Sequence, residues 1–348
     1  MLYSMCGREV SRDYPRAFLF ELKGAENLRV REKVSNEVEK NSPYERLMYT
    51  KLLIPLDGSR LAEGVLPYAR LLAHGLNVPV ELLRVNDPAE SGSYLAPIHR
   101  DEYFEKIAAS FSIPTNVTHR VEAGNPATAI VRLGAAQPGA LITMVKHGER
   151  GLQRWLLGSI AENVLHKATN DLLLVQPSDK SSGEARLNSA FVPLDGSELA
   201  EQVFSTVTEL ATRLQLEICL MHVVIRVYFG PPEGFLPVFS GNIPNQKQLW
   251  AEAGAQATEY LARKVEQLRA QGVPRVSSVL IEGSAEGAAA EIIDRGSKTS
   301  NALVIMSTHG RSGIGRWLIG SVTERVVRHS VNPVLVTRSH PNGLGRFL

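Results

Sequence analysis

A nine-residue motif, Pro-Leu-Asp-Gly-Ser-x-Leu-Ala-Glu, occurs twice in this chain of 348 residues, at 55–63 and at 193–201. Each copy is followed by a second motif, His-Gly-x-x-Gly-x-x-Arg-Trp-Leu-x-Gly-Ser, at 147–159 and at 309–321. Two separate motifs that recur in the same order indicate two copies of one domain. The second motif is displaced further than the first (309 − 147 = 162 against 195 − 57 = 138), so the second repeat carries an insert between its motifs.

From residue 51 onwards, short runs of β-forming residues alternate with helical runs, which predicts parallel sheets covered by helices. The predicted strands are 51–56, 80–85, 116–121, 141–145 and 172–176 in the first repeat, and 189–194, 217–224, 275–281, 302–307 and 334–338 in the second. Helices are predicted over 61–74, 101–111, 127–136 and 159–167, with a long charged helix over 245–271.

The domain boundaries follow from composition and from the two motifs. Residues 1–47 are predicted to be a mobile N-terminal extension, with a small helical cap as the alternative. The first repeat is predicted over 48–177, a linker over 178–187, the second repeat over 188–340 and a tail over 341–348. The insert of the second repeat includes 228–244, a stretch rich in Pro, Gly and Phe that is predicted to be a loop.

The composition narrows the class of protein. A net charge of +2 gives no electrostatic footprint for nucleic acid or for an anionic membrane. No apolar run approaches the roughly 20 residues needed to cross a bilayer. Two cysteines do not make a disulfide framework, and the N-terminus lacks the apolar core of a signal peptide. These features predict a cytoplasmic protein.

Both motifs follow predicted strands, at the carboxyl ends where α/β sheets bind ligands. Asp57 and Asp195 come directly after the first strand of each repeat, where a carboxylate can accept hydrogen bonds from ribose. Gly158-Ser159 and Gly320-Ser321 begin helices, whose free N–H groups and positive dipole end favour an anion. These parts predict a mononucleotide site. The alternative for the aspartates is a turn with the following glycine, and the Gly-Ser pairs serve as tight turns in either case.

Other nucleotide and catalytic motifs do not fit. A dinucleotide fingerprint would need a third glycine at position 318, which is Leu318. The Gly-x-x-x-x-Gly-Lys-Ser/Thr loop of the common NTPases and the Gly-x-Ser-x-Gly elbow of hydrolases do not occur. His147 and His309 have no neighbours at metal-ligand spacing, and we expect them to orient their loops through a side-chain hydrogen bond.

Over about residues 50–338, the chain resembles the tandem members of the universal stress protein family. The resemblance rests on Pro-x-Asp-Gly-Ser, on His222-Val223 at the end of the second strand, and on the nucleotide loop. ATP-binding members of that family have Gly, two residues, Gly, nine residues, Gly, and then Ser or Thr. The second repeat departs from this pattern only at its first position, which is Ser307, and the first repeat has Val145 there.

The resemblance implies two doubly wound, five-stranded α/β domains of strand order 3-2-1-4-5, similar to adenine-nucleotide α-hydrolases. It implies ATP, with or without Mg²⁺, as ligand, with Asp on the ribose, Val against adenine, and Gly and Ser on the phosphates. The residues assigned to the site are Pro193, Asp195, Val223, Ser307, His309, Gly310, Arg311, Gly313, Gly320, Ser321 and Val322 in the second repeat, and Asp57, Val85, Gly148, Gly158 and Ser159 in the first. It also implies that the fifth strands of the two repeats pair and make an internal pseudo-dimer. Homodimerisation of whole chains is a further possibility that the resemblance raises.

The departures favour the second repeat as the ligand-binding one. A β-branched Val145 would crowd a ribose or phosphate, and the charge of the neighbouring Lys146 would only partly offset this. The leading hypothesis is a nucleotide-binding stress-response regulator that is not a dedicated enzyme and hydrolyses ATP slowly at most. One alternative is a scaffold of the same fold that binds no nucleotide and works by protein association. Another is an enzyme whose catalytic residues lie in the insert 228–244.

Overall fold

The computed structural model describes residues 48–88, 97–111, 116–147, 157–176, 183–225, 246–283, 286–308 and 319–338. The predicted N-terminal extension, the insert loop 228–244 and the predicted tail lie outside this set. Within it, the chain is an α/β protein with a mainly parallel sheet, as the sequence predicted. Each predicted strand is present, with ends that differ by at most two residues from those predicted.

The strands form a single sheet of ten. They are β1 (Lys51–Pro55), β2 (Val80–Asn86), β3 (Val117–Ala123), β4 (Ala140–Val145), β5 (Leu172–Val175), β6 (Ser189–Pro193), β7 (Glu217–Ile225), β8 (Val276–Gly283), β9 (Ala302–Ser307) and β10 (Val334–Thr337). Their order across the sheet is β3-β2-β1-β4-β5-β10-β9-β6-β7-β8. The order reverses beside β1 in the first repeat and beside β6 in the second, and such reversals are where open α/β sheets bind ligands.

Helices connect the strands. They are Leu66–Leu76, Pro97–Ala108, Pro126–Ala135 and Ser159–Lys167 in the first repeat, and Glu198–Glu201, Phe204–Leu214, Gln246–Ala270, Ala288–Ser297 and Ser321–His329 in the second. The first of them begins later than predicted, because residues 62–65 form a 3₁₀ turn and Pro67 is tolerated only in a first helical turn.

The centre of the sheet is its most deeply buried part. Every residue of β4, β5, β9 and β10 is buried. These strands are almost continuous apolar runs, such as Leu172-Leu173-Leu174-Val175, which is the pattern of strands covered on both faces. The core therefore runs through the place where the two repeats meet.

The two repeats join through their fifth strands. β5 and β10 pair antiparallel, with Leu173 opposite Leu335. These two leucines are separated by the displacement of the second motif (335 − 173 = 162), so each is paired with its own equivalent in the other repeat. Equivalent residues meet in this way across a two-fold interface. The boundary between the repeats, here called the seam, thus has approximate two-fold symmetry.

Candidate functional site

The carboxyl ends of β6, β7 and β9 bring together residues that the sequence assigned to the second-repeat site. β6 lies between β7 and β9 and is parallel to both. Pro193 ends β6 and Ser307 ends β9, while Val223 lies near the end of β7. Asp195 follows β6 by two residues. His309, Gly310, Arg311 and Gly313, and Gly148 in the first repeat, lie outside the described residues.

The aspartates shape the loops in which they lie. The backbone N–H and the hydroxyl of Ser197 donate to Asp195 Oδ1, at 3.0 and 2.6 Å, and the hydroxyl oxygen of Ser197 accepts from the N–H of Ala200. In the first repeat, the N–H of Ser59 donates to Asp57 Oδ1 at 2.9 Å. One carboxylate oxygen of each aspartate therefore stabilises the turn with the following glycine, which the sequence left open as the alternative to ribose binding.

The Gly-Ser pairs begin helices without a side-chain cap. Gly320 is the residue before the helix Ser321–His329, and within the described ranges no side chain accepts from the first turn of that helix. The N–H of Gly320 donates to the carbonyl oxygen of Thr308 at 2.6 Å, which ties the helix start to the end of β9. Gly158 has the same place and conformation before Ser159. A helix start of this kind presents backbone N–H groups to an anion.

Ser321 and Val322 are exposed at this helix start, as is Ser159 in the first repeat. One residue further on, Thr323 is buried, and its hydroxyl donates to the carbonyl oxygen of Ser307 at 2.9 Å. The helix is thus fixed to β9 on its inner face, while its first two side chains stay accessible from outside.

At the corresponding edge of the first repeat, an arginine joins the end of β2 to the loop that follows β1. Arg84 precedes Val85 near the end of β2 and is only 4% exposed. Its guanidinium donates to the backbone oxygen of Asp57 at 2.8 Å and to Asn86 Oδ1 at 3.2 Å. The second repeat has His222 at this position, before Val223. Sequence reasoning missed this difference, although the residue before each predicted adenine-contacting valine was a usable signal.

A tyrosine anchors a helix beside the second-repeat site, and the sequence did not point to it. Tyr260 donates its hydroxyl to Glu201 Oε1 at 2.9 Å, and Lys264 Nζ donates to Glu201 Oε2 at 2.7 Å. The Tyr260 ring meets that of His222 edge-on, with centroids 6.0 Å apart. Burial, and then the carboxylate of Glu201, raise the pKa of Tyr260 above its usual value of 10.0. Glu201, the last residue of the first motif, therefore holds the helix Gln246–Ala270, which lies beside the site.

Lys146 does not serve the first-repeat site, so that expectation was wrong. Its side chain is fully buried, and Nζ donates to the carbonyl oxygen of Ser330 in the second repeat at 2.5 Å. Burial lowers the pKa of Lys146 to about 7. The hydrogen bond expected from His147 is also not found in the described part of the chain, where neither of its buried ring nitrogens has a partner. Burial, and then the charge of Lys146, lower the pKa of His147.

Comparison with known proteins agrees with this architecture. The model of the universal stress protein family matches the chain twice, at residues 48–176 and 189–338. A universal stress protein of Mycolicibacterium smegmatis is 25% identical over 303 residues, which cover 82% of this chain and 96% of that protein. Another, from Mycobacterium bovis, is 28% identical over 232 residues, which cover 67% of this chain and 69% of that protein.

Solved structures show the same fold. A universal stress protein from Archaeoglobus fulgidus has a TM-score of 0.57 at 19% identity, covering 84% of this chain and 99% of that one. A Pseudomonas aeruginosa protein of unknown function has a TM-score of 0.61 at 15% identity, covering 84% of this chain and 93% of that one. Among the described helices, none combines the length and the apolar character that a membrane span requires.

Proposed function

The chain belongs to the universal stress protein family, and on that premise we propose that its second repeat binds an adenine nucleotide, ATP with Mg²⁺ on its phosphates. The protein would act in the cytoplasm as a stress-response regulator whose association with partners depends on the bound nucleotide. It would not be a dedicated enzyme. Domain boundaries at 48–177 and 188–340 are part of the same proposal.

The observation that carries this proposal is the uncapped helix start at Gly320 and Ser321. Its N–H groups have no intrahelical acceptors, and no side chain of the described residues caps them. Asp195 follows β6, and Val223 lies near the end of the neighbouring strand β7, at the same edge of the sheet. An anion at the helix start, a sugar near the aspartate and a base near the valine would together match a nucleotide.

The first repeat supports a different role. Arg84 ties the end of β2 to the loop of Asp57, and Lys146 turns into the seam. We propose that this repeat is the structural half of an internal pseudo-dimer, joined through β5 and β10. Homodimerisation of whole chains would add to this pairing and is part of the association that we propose to depend on nucleotide.

Two glycine variants test which repeat binds ATP. Gly320 has φ −62° and ψ 141°, and Gly158 has φ −65° and ψ 148°, so valine can adopt either backbone conformation. We expect wild-type protein to bind one ATP per chain in titration calorimetry with Mg²⁺, and ATP to raise its melting temperature. Gly320→Val should abolish both effects, whereas the matched control Gly158→Val should keep them.

The other outcomes separate the alternatives. Unchanged ATP binding by Gly320→Val would contradict the proposed site. Absence of stabilisation by any adenine nucleotide would favour the scaffold that works by protein association alone. Steady nucleotide turnover above roughly 1 per second, a typical enzyme rate, would favour an enzyme. Sedimentation velocity with and without ATP would test nucleotide-dependent association directly.

A further inference from the structure

Three potential metal ligands meet at the seam. Glu162 and His166 lie one turn apart on the helix Ser159–Lys167, and Glu324 lies on the helix Ser321–His329 of the other repeat. One ligand atom from each of the three lies within 4.8 Å of the other two. All three residues are partly buried. The two glutamates are equivalent in the repeats (324 − 162 = 162), so they face each other across the approximate two-fold axis.

Arg328 holds both carboxylates. One of its terminal nitrogens donates to Glu162 Oε1 at 2.6 Å and to Glu324 Oε1 at 2.8 Å. The residue equivalent to Arg328 in the first repeat is His166 (328 − 166 = 162). Among the described residues, this cluster therefore has two carboxylates and one guanidinium, where a symmetric pair would have two of each. In the described part of the chain, His166 makes no hydrogen bond or ion pair that would use its ring nitrogens.

We propose that Glu162, His166 and Glu324 form a site for a divalent transition metal ion, with Zn²⁺ as the probe ion. Imidazole nitrogen and carboxylate oxygen are both common zinc ligands. Each carboxylate has a second oxygen besides the one that Arg328 contacts, so the arginine orients the ligands as outer-shell partners of metal sites do. Two ligands come from one repeat and one from the other, so the ion would clamp the repeats together.

Two exchanges between equivalent positions test this site in the full, tag-free chain after removal of metal with a chelator. His166→Arg gives the first repeat the residue of the second and can keep the ion pairs of the seam. It should weaken Zn²⁺ binding by at least about tenfold in titration calorimetry, since even outer-shell changes cost about that much. Arg328→His supplies a second imidazole and should tighten binding. His329→Arg, at an exposed position on the same helix, should leave it unchanged.

The same titrations can overturn the proposal. Wild-type protein should take up one Zn²⁺ per chain and melt at a higher temperature with Zn²⁺ than without it. Absence of uptake at micromolar Zn²⁺ would refute the site, as would equal affinity in wild type and His166→Arg. If His166→Arg proves unstable without metal, the Arg328→His variant decides, because unchanged or weaker binding there contradicts the geometry. Gly320 precedes Glu324 by one helical turn, so the Zn²⁺ titration is repeated in Gly320→Val, where loss of ATP binding with retained Zn²⁺ binding shows that the two sites are separate.

Discussion

Replacing Lys146 by methionine should make the protein more stable at neutral pH and remove a large pH dependence. The amino group is fully buried, and its bond to the Ser330 carbonyl is its one hydrogen bond to the described residues. Burial lowers its pKa from the ordinary 10.5 to about 7. Between these two values, the unfolded chain holds a proton that the folded chain has lost. The free energy of unfolding of the wild type therefore rises with pH across this window and loses this contribution as pH falls to 7.

The magnitude follows from the width of the window. A shift from 10.5 to about 7, at about 1.4 kcal/mol per pKa unit, gives about 5 kcal/mol between its two ends. Methionine is unbranched, of similar length and uncharged, so it removes this contribution. It also leaves the Ser330 carbonyl without its donor, at a cost of about 1–3 kcal/mol. Lys146→Met should thus be more stable than wild type by about 2–4 kcal/mol at pH 7, and less stable than it near pH 10.

Urea denaturation followed by circular dichroism, at one-unit steps from pH 6 to pH 10, measures this crossover. The difference between variant and wild type is taken at each pH, so that the titration of all other groups cancels. Lys298→Met is the control, because the Lys298 side chain is 69% exposed and should shift the difference by at most about 0.5 kcal/mol at every pH. A Lys146→Met difference that is constant from pH 7 to pH 10 would refute the buried, titrating lysine.

Three further substitutions test one buried hydrogen bond and the space around two glycines. Tyr49→Phe removes a 2.7 Å hydrogen bond to the buried carboxylate of Asp171 and should lower the free energy of unfolding by about 1.5–3 kcal/mol in urea denaturation. Gly134→Ala would place a Cβ 2.8 Å from Asn170 Oδ1, in an amide whose nitrogen is already bonded, and should cost about 1–3 kcal/mol. Gly254→Ala meets only a contact at 3.8 Å inside a helix and should instead raise stability by about 0.5–1 kcal/mol, seen as a higher melting temperature.

The repeats, the strands and the sheet class could be predicted because local signals determine them. Apolar runs such as 172–176 and 302–307 are too short for helices and are bounded by turn residues. The hydrophobic pattern and the length of each run were therefore enough to identify it as a strand. The edge at which Asp195 and Gly320 lie follows from the rule that parallel strands end together. The first helix was predicted to begin too early, although Pro67 was a usable signal, because proline is tolerated only in a first helical turn.

The side-chain partners at the site and the seam could not be predicted, because they join residues far apart in sequence. Lys146 contacts a residue 184 positions away, and nothing in the sequence beside it distinguishes a ligand-facing from a seam-facing lysine. The carboxylates held by Arg328 could have been found from Glu162 and Glu324, once the fifth strands were assumed to pair in the observed register. Arg84 differed visibly from its equivalent His222, but the direction of a guanidinium depends on packing that sequence alone does not give.

The differences between the repeats fall where two-fold symmetry permits them. At the seam, Leu173 faces Leu335, so a change in either one alters a contact made by the other. At the carboxyl ends of β1 and β6, each repeat has its own Asp-Gly-Ser turn, which makes hydrogen bonds within its own repeat. Lys146 stands in place of Thr308, so at this position only the first repeat has an amino group, which makes a seam contact, while both repeats keep the same helix start at their Gly-Ser pairs. This difference is the reason for proposing one nucleotide per chain rather than two, with the first repeat as a structural support for the second.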